Sequence, residues 1–579
     1  MAHHSAHGDH HKTPFQQLKT LLKPELTDIA VVVIFSLVVG ILSLATPIAV
    51  EALVNTVAFG RFLQPLIVLG IILLTFLGFA AVLRGLQAYV AEIIQRRIFV
   101  RVVADLAHRL PRVKLNAFDG HDGVELVNRY FDVMTVQKTA ALLVLDGVGV
   151  VVTSLIGLIV LAFYHPFLLG FDIGLMAAIA FIVIVLGRGA VDTAIAESYK
   201  KYAIAAWLEQ LADSPLAFRL GGARTLAVER ADDLVVEYIQ SRKSHFSIVL
   251  RQLGFSLGLQ AFAATALLGL GGWLVINQQL TLGQLVAAEL IVAVIVGSFA
   301  KLGKHLESFY DLLAAVDKLG YLLELPTERQ SGEEVADSQV GAEVKLHEVA
   351  LTDSSSPNSA AGRINLQVKS GEQIAIWGAP GSGKSKLLEM LFALREPAAG
   401  HIEINGVDVR SLNPESLRST VSFVSGSEVI PGTIIDNVHL HRPDISAADV
   451  REALRRVGLW EELMHLPLGL ETELSARGAP LSQSQIVRLV LARGIAGNPR
   501  LLLIDGTLDA LPDSLLLPVF RALCGAEGER TIILVTGRTV LRDECPRSFQ
   551  LGPNLTHDAN EAGGSESATI PLQNMACNR

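Results

Sequence analysis

Two stretches of 22 residues without a single charge, Ile29–Val50 and Phe62–Leu83, constrain this chain more than any other feature. A helix rises ~1.5 Å per residue, so about 20 predominantly apolar residues span a ~30 Å hydrocarbon core. Four further stretches read the same way, Thr139–Phe163, Pro166–Gly187, Gln252–Ile276 and Leu282–Ala300. Only 18% of the 579 residues are charged and 51% are hydrophobic, whereas soluble domains carry about 25% charged residues. A wholly soluble chain is therefore excluded, and so is a disordered one, which needs low hydrophobicity and high net charge. The net charge of −9 gives no support to a nucleic-acid partner, which would demand a basic surface.

The spacing of the six spans carries information of its own. Spans one and two are joined by Asn55–Arg61, three and four by Tyr164–His165, and five and six by Asn277–Thr281, all short. On the other side run two long segments, Arg84–Lys138 and Arg188–Arg251. Both are rich in helix formers and broken by turn signals, at Phe118–Gly120 and Gly221–Gly222. Arg96, Arg97, Arg101, Arg109, Arg112 and Lys114 in the first place this side in the cytosol. The expectation is six long helices projecting into the cytosol, with a bend in each returning segment.

Four acids fall inside the spans. For Asp172 and Glu289 two readings stand: a water-filled path or cation site, or a residue that faces the bundle. Glu51 and Asp146 are read as lying near helix ends or facing the bundle. The N-terminus, with His3, His4, His7, His10 and His11, lacks a basic-then-apolar signal pattern and reads as a flexible cytosolic tail of residues 1–14. Cys524, Cys545 and Cys577 show neither a disulfide framework nor zinc spacing.

The bundle, residues 15–325, is followed by a polar linker, 326–341. From Ala342 the pattern changes to short apolar strands such as Gln373–Trp377 and Leu501–Ile504, alternating with helical runs such as Lys386–Leu394 and Ile486–Ala496. That is an α/β domain with a largely parallel sheet, residues 342–554. Residues 555–579 read as a disordered tail.

Within this domain, Gly378–Ser385 reads G-A-P-G-S-G-K-S, a phosphate loop following a strand and opening a helix. Its glycines let the backbone wrap closely so that N–H groups point at phosphate oxygens, and the helix dipole adds to the attraction. Gly378, Pro380, Gly381, Ser382, Gly383, Lys384, Ser385 and Lys386 are the expected nucleotide contacts. Lys384 reaches the β- and γ-phosphates, and Ser385 ligates Mg²⁺. Asp505, ending the apolar strand Leu501–Asp505, is the second candidate Mg²⁺ residue.

Six spans with long cytosolic returns, then a phosphate loop and an Asp-ended strand, resemble an ATP-binding-cassette exporter half-transporter over about Phe15–Gly552. Gly400–Asp408 is similar to the hairpin that follows the phosphate loop in that family, and Pro431–Val438 to its x-G-T-I-x-x-N-I segment. Leu481–Gln485 stands where the family carries its LSGGQ signature. The turn Tyr164–Phe167 and the overall layout look closest to transporters of type I secretion systems. The resemblance implies a six-span helical transmembrane domain of the exporter fold followed by an α/β P-loop NTPase domain, with ATP and Mg²⁺ as ligands. It implies a second half-transporter chain as partner, a homodimer first and a heterodimer as the alternative. ATP would lie between one chain's phosphate loop and Ser482, Ser484 and Gln485 of the facing signature. Coupling helices would fall near Phe118–Val127 and Leu211–Gly222. A bacterial cytoplasmic membrane, lipid contacts, cytosolic termini and a periplasmic adaptor complete the expectation; the cargo is left open.

Lys384 and Asp505 are thus the expected catalytic residues, but several neighbours depart from the pattern. Gly506 replaces the glutamate that polarises the attacking water, and Gly537 the switch histidine. No glutamine stands near Ser425–Ser427, Asp353 occupies the place of the adenine-stacking aromatic, and Pro512 that of the D-loop aspartate. Loss of the activating groups is worth about 10²–10⁴-fold each in hydrolysis, whereas loss of adenine stacking is worth ~1–3 kcal/mol. Binding is therefore expected to survive better than turnover. Glu428 and Asp509 are candidates for a replacement base. A subunit that binds nucleotide without hydrolysing it, for gating or regulation, is the alternative reading.

Overall fold

The computed structural model describes residues 12–59, 63–119, 123–335, 340–351, 363–525, 528–552 and 556–558. The histidine-bearing start of the chain, Asp353 and Cys577 lie outside them. Two compact units part between Pro326 and Thr327, with Lys114–Asn116 grouped with the second.

The first unit is helical. Among the described residues, five helical stretches are long and apolar enough to cross a membrane: Pro14–Thr56, Leu66–Arg112, Leu126–Tyr164, Pro166–Leu186 and Ala223–Ile276. The sixth is the apolar start, Leu282–Ile295, of the helix Leu282–Leu323. That helix begins where Thr281 caps it, its hydroxyl accepting from the Gln284 N–H while the Gln284 side chain accepts from the Thr281 N–H, so two otherwise orphan donors are satisfied. Side chains such as Ile71, Leu74, Phe163 and Phe262 stay exposed along the spans, as a lipid-facing surface requires.

The spans are less regular than their apolar runs suggest. The first breaks at Leu44, between the helices Leu26–Ser43 and Ala45–Phe59. Wide π-type turns interrupt the third and fourth at Leu143–Gly147 and Ile182–Leu186. Helix also continues to Phe59, into the segment read as the first connection. In the returning segments, short 3₁₀ turns lie at Leu115–Phe118 and Ala217–Arg219, with a helix at Gly123–Asn128. The bends therefore fall where the turn residues stand.

Leu158, Leu161, Leu168, Leu175, Leu267 and Ile291 form one apolar core of the bundle. Close approach there depends on Gly157: a Cβ at this position would lie 3.0 Å from Ile295 Cδ1 and 3.1 Å from Ile291 Cγ2. Small residues let membrane helices pack backbone to backbone. Of the acids in the spans, Glu51 accepts a 2.8 Å bond from the Tyr164 hydroxyl. Asp172 is only 4% exposed, and neither of its carboxylate oxygens has a partner among the described residues. One oxygen of Glu289 is in the same position.

The described residues of the second unit form three sheets. Its strands are β1 (Val344–Ala350), β2 (Ile364–Val368), β3 (Gln373–Trp377), β4 (Ala399–Ile404), β5 (Val407–Asp408), β6 (Val421–Ser425), β7 (Gly432–Thr433), β8 (Glu473–Leu474), β9 (Leu501–Asp505), β10 (Thr531–Val535), β11 (Arg547–Leu551) and β12 (Thr556–Asp558). The central sheet runs β12-β11-β3-β10-β9-β6, with β11, β3, β10, β9 and β6 parallel. Its inner strands are continuous apolar runs because both faces are covered, and Leu501–Ile504 and Thr531–Leu534 are fully buried. An antiparallel sheet, β2-β1-β4-β5, and the pair β7-β8 complete the unit. Thr556–Asp558, which composition placed in the tail, is instead an antiparallel edge strand on β11.

Replacing Gly157 with leucine should overpack the contact with Ile291 and Ile295 and cost about 1–3 kcal/mol. Thermal unfolding of the detergent-solubilised protein should show a lowered midpoint; an unchanged midpoint would contradict this packing.

Candidate functional site

The phosphate loop joins β3 to the helix Lys384–Leu391. Three glycines give it its shape, at φ 156° (Gly378), 78° (Gly381) and 92° (Gly383). A Cβ on Gly378 would run into the Leu551 carbonyl oxygen, and one on Gly383 into the Leu351 side chain. Glycine is required at 378 on steric grounds and at 383 by its backbone conformation, which a side chain would strain. Pro380 and Ser382 lie in the turn, where the Ser382 N–H donates to the Ala379 carbonyl. Leu387, Leu388, Met390 and Leu391 anchor the helix in the core, leaving Ser385 and Lys386 in its first turn.

The Lys384 ammonium folds back into the loop. It donates to the carbonyls of Gly378 (2.9 Å) and Ala379 (2.8 Å) and to Ser382 Oγ (3.2 Å). Burial lowers its pKa, and the negative charge of Asp505, at the end of β9, works against that shift. A cation held by neutral oxygens, at the start of a helix, suits a polyanion. The donor set of Lys384, Ser385 and Asp505 fits a magnesium-bound triphosphate: one ammonium, one hydroxyl and one carboxylate, the last two being oxygen donors for a hard cation.

The signature residues form a second cluster, on the helix Gln483–Ile495. Ser482 caps it. Its Oγ accepts from the Gln485 N–H at 3.4 Å, and Gln485 Oε1 accepts from the Ser482 N–H at 2.9 Å. The serine oxygen acts there as an acceptor, which leaves its proton for another oxygen. Ser484 follows in the first turn. Behind it, Gln485 Nε2 donates to Glu462 (2.9 Å), and the nearly inaccessible Arg488 grips both Glu462 oxygens (2.7 and 2.9 Å) and the Gly458 carbonyl. Arg488 holds the Glu462 carboxyl below its ordinary pKa. Neither Arg488 nor Glu462 was singled out from the sequence. The Ser-x-x-Gln capping pattern was the local signal available, but the ion pair spans 26 positions and leaves no local trace.

Past β9 the chain turns at Gly506, with φ 64° and its N–H on the Val535 carbonyl at 3.0 Å. Apart from its chain neighbours, no atom of the described residues lies within 4 Å of where a Cβ would sit. Space for a side chain exists, and the left-handed backbone is the obstacle. Asp509, considered above as a replacement base, is bound elsewhere: one oxygen accepts from Thr536 Oγ1 (2.5 Å) and the other from the Gly537 N–H (2.7 Å). Arg538 adds bonds to the carbonyls of Asp509 and Leu511. Glu428 is exposed, and its backbone carbonyl accepts from Arg493 at 2.9 Å.

This cassette geometry, carried on a chain with membrane-spanning helices, defines an ATP-binding transporter. The chain belongs to the ABC transporter family: residues 29–202 match the ABC transporter transmembrane region and residues 361–508 the ABC transporter domain. Among curated relatives it is similar to the alpha-hemolysin translocation ATP-binding protein HlyB of Escherichia coli O157:H7, 25% identical over 86% of this chain and 70% of that protein. It is likewise similar to the leukotoxin translocation ATP-binding protein LktB of Mannheimia glucosida, 26% identical over 87% and 71%. A solved bacterial Atm1-family ABC exporter with ATP bound shares the fold, with a TM-score of 0.80 at 18% identity over 92% of this chain and 95% of that one.

Lys384→Ala should weaken binding of ATP by the full-length protein at least about tenfold, the loss of one charge-assisted contact. Equal affinity in a calorimetric titration would remove the lysine from the site.

Proposed function

We propose that this chain is one half of an ATP-driven exporter in a bacterial cytoplasmic membrane, with its cassette and both termini in the cytosol and a second half-transporter as partner. The observation that carries the reading is the glycine-shaped loop around Lys384 in a cassette that follows six apolar spans. Gly378, Pro380, Gly381, Ser382, Gly383, Lys384, Ser385 and Lys386 would hold the triphosphate. Ser482, Ser484 and Gln485 would present the start of their helix, and the Ser482 hydroxyl, to the nucleotide of the facing cassette. Ser385 and Asp505 would hold Mg²⁺, which supplies charge neutralisation at the β- and γ-phosphates. Binding energy spent on closing two cassettes would then be available to rearrange the spans between inward and outward access. The relatives translocate alpha-hemolysin and leukotoxin by name, so a secreted polypeptide is the cargo class to test first and a periplasmic adaptor the partner to look for.

Turnover should be slow. With glycine at 506 and 537 these two positions supply neither a carboxylate to draw a proton from water nor an imidazole beside the γ-phosphate. Asp509 already serves Thr536 and Gly537. The same facts favour a second reading, a nucleotide-gated regulatory subunit or the less active half of a heterodimer.

Multiple-turnover ATPase assays separate the two readings. The wild-type chain should be slow yet faster than Lys384→Ala. The double variant Gly506→Glu/Gly537→His should gain about 10²-fold or more, tempered by the left-handed backbone at position 506. Wild-type turnover no faster than Lys384→Ala would leave only the regulatory reading. A double variant that gains nothing would show that these two glycines are not what limits the rate.

A further inference from the structure

The antiparallel sheet of the cassette carries a side-chain cluster that includes none of the residues assigned to the nucleotide. In its register His347 of β1 stands directly opposite His401 of β4. Glu403 lies two residues further along β4, hence on the same face. The imidazole rings stack with centroids 4.7 Å apart and planes 21° from parallel. His401 Nε2 is 3.2 Å from one Glu403 oxygen, and His347 Nε2 is 3.9 Å from the other. One donor atom from each residue can be chosen so that all three lie within 4.8 Å of one another.

We propose that His347, His401 and Glu403 form a binding site for a divalent transition metal of the zinc type, on the antiparallel sheet and separate from the phosphate loop. Ligands at ~2.0–2.2 Å from tetrahedral zinc are about 3.4 Å apart, so a small rotamer closure of the observed cluster reaches metal geometry. Two imidazoles and one carboxylate suit zinc, cobalt, nickel or copper, whereas magnesium and calcium take oxygen ligands. Three protein ligands leave one position for water.

The backbone is shaped around this pairing. The β1–β4 register shifts after His347, and Glu348 there has φ 50°. Glu348 is braced from outside, its N–H on Asn365 Oδ1 at 2.8 Å and its carboxylate taken by Asn365 and Arg363. Such a bulge re-aims the side chains beside it. Gly400, just before His401, has φ 79°, and a Cβ there would collide with the carbonyl oxygens of His347 and Glu348. Glycine is what lets β4 come this close to the bulge.

The charged neighbours leave the site open. Lys345, opposite Glu403 on β1, directs its ammonium to Glu343 at 3.0 Å. Asp408, opposite Glu403 on β5, is taken by Arg410.

The test uses the full-length chain with His3, His4, His7, His10 and His11 changed to alanine, so that the N-terminal imidazoles cannot compete. It is titrated with Co²⁺ while visible absorption is followed. One equivalent per chain should give the intense bands of low-coordinate cobalt, bleached by Zn²⁺ and untouched by millimolar Mg²⁺. His401→Ala and the near-isosteric His347→Gln should each weaken binding more than tenfold, and Glu403→Gln should weaken it less. Unchanged ATP binding in the same variants shows that the cassette is folded. Absence of the bands, or the same titration in the histidine variants, would overturn the proposal.

Discussion

The turn between Trp377 and Lys384 is the constraint on which the cassette depends. Three glycines in conformations that side chains avoid bend the backbone around the lysine ammonium, which rests on the two carbonyls it reaches first. Central placement makes this arrangement rigid. β3 lies inside a parallel sheet whose strands are buried on both faces, and the helix after the loop is pinned by Leu387, Leu388 and Leu391. A loop carried on such a scaffold is held in one shape before a ligand arrives, which is what makes a preorganised charge effective.

Chemistry and fold separate cleanly around that loop. The groups proposed to hold a triphosphate are built into the β3–helix junction and the end of β9. Those that would act on water belong to the turns after β9 and β10, and there the chain has Gly506 and Gly537. Neither glycine disturbs its surroundings: Gly506 keeps its bond to Val535, and Gly537 gives its N–H to Asp509. Both positions carry little packing: among the described residues, nothing beyond chain neighbours lies within 4 Å of a Cβ built at Gly506, and only Asp509 approaches one at Gly537. Asp509 illustrates the other side. It ties the two turns together through Thr536 and Gly537, a structural use of a carboxylate that proximity in sequence made look available for proton transfer.

Much of this was legible from the residues alone. The two 22-residue uncharged runs and the four looser ones correspond to helices. The strand–loop–helix order at Gly378–Ser385 and the apolar strand ending at Asp505 are where composition placed them. What was not legible depends on distant partners. The wide turns at Leu143–Gly147 and Ile182–Leu186 are not readable from hydrophobicity, which reports length and not hydrogen-bond phase, whereas the break at Leu44 follows from Pro47, which has no N–H to donate to the Ser43 carbonyl. The grip of Arg488 on Glu462, and the meeting of His347 with His401 across β1 and β4, are set by helix packing and strand register. Thr556–Asp558 gained its structure from pairing with β11, against its polar composition.

The central claim is that capture of a triphosphate ahead of Lys384 is felt both at the signature helix and in the bends of the membrane unit. Hydrogen–deuterium exchange on the full-length protein in detergent or nanodiscs, with and without Mg-ATP, tests it most directly. The account predicts joint slowing at Gly378–Lys386 and at Ser482–Ile486, the latter through the facing cassette, accompanied by altered exchange at Leu115–Phe118 and Ala217–Arg219. Slowing confined to the phosphate loop, or exchange unchanged everywhere, would contradict it.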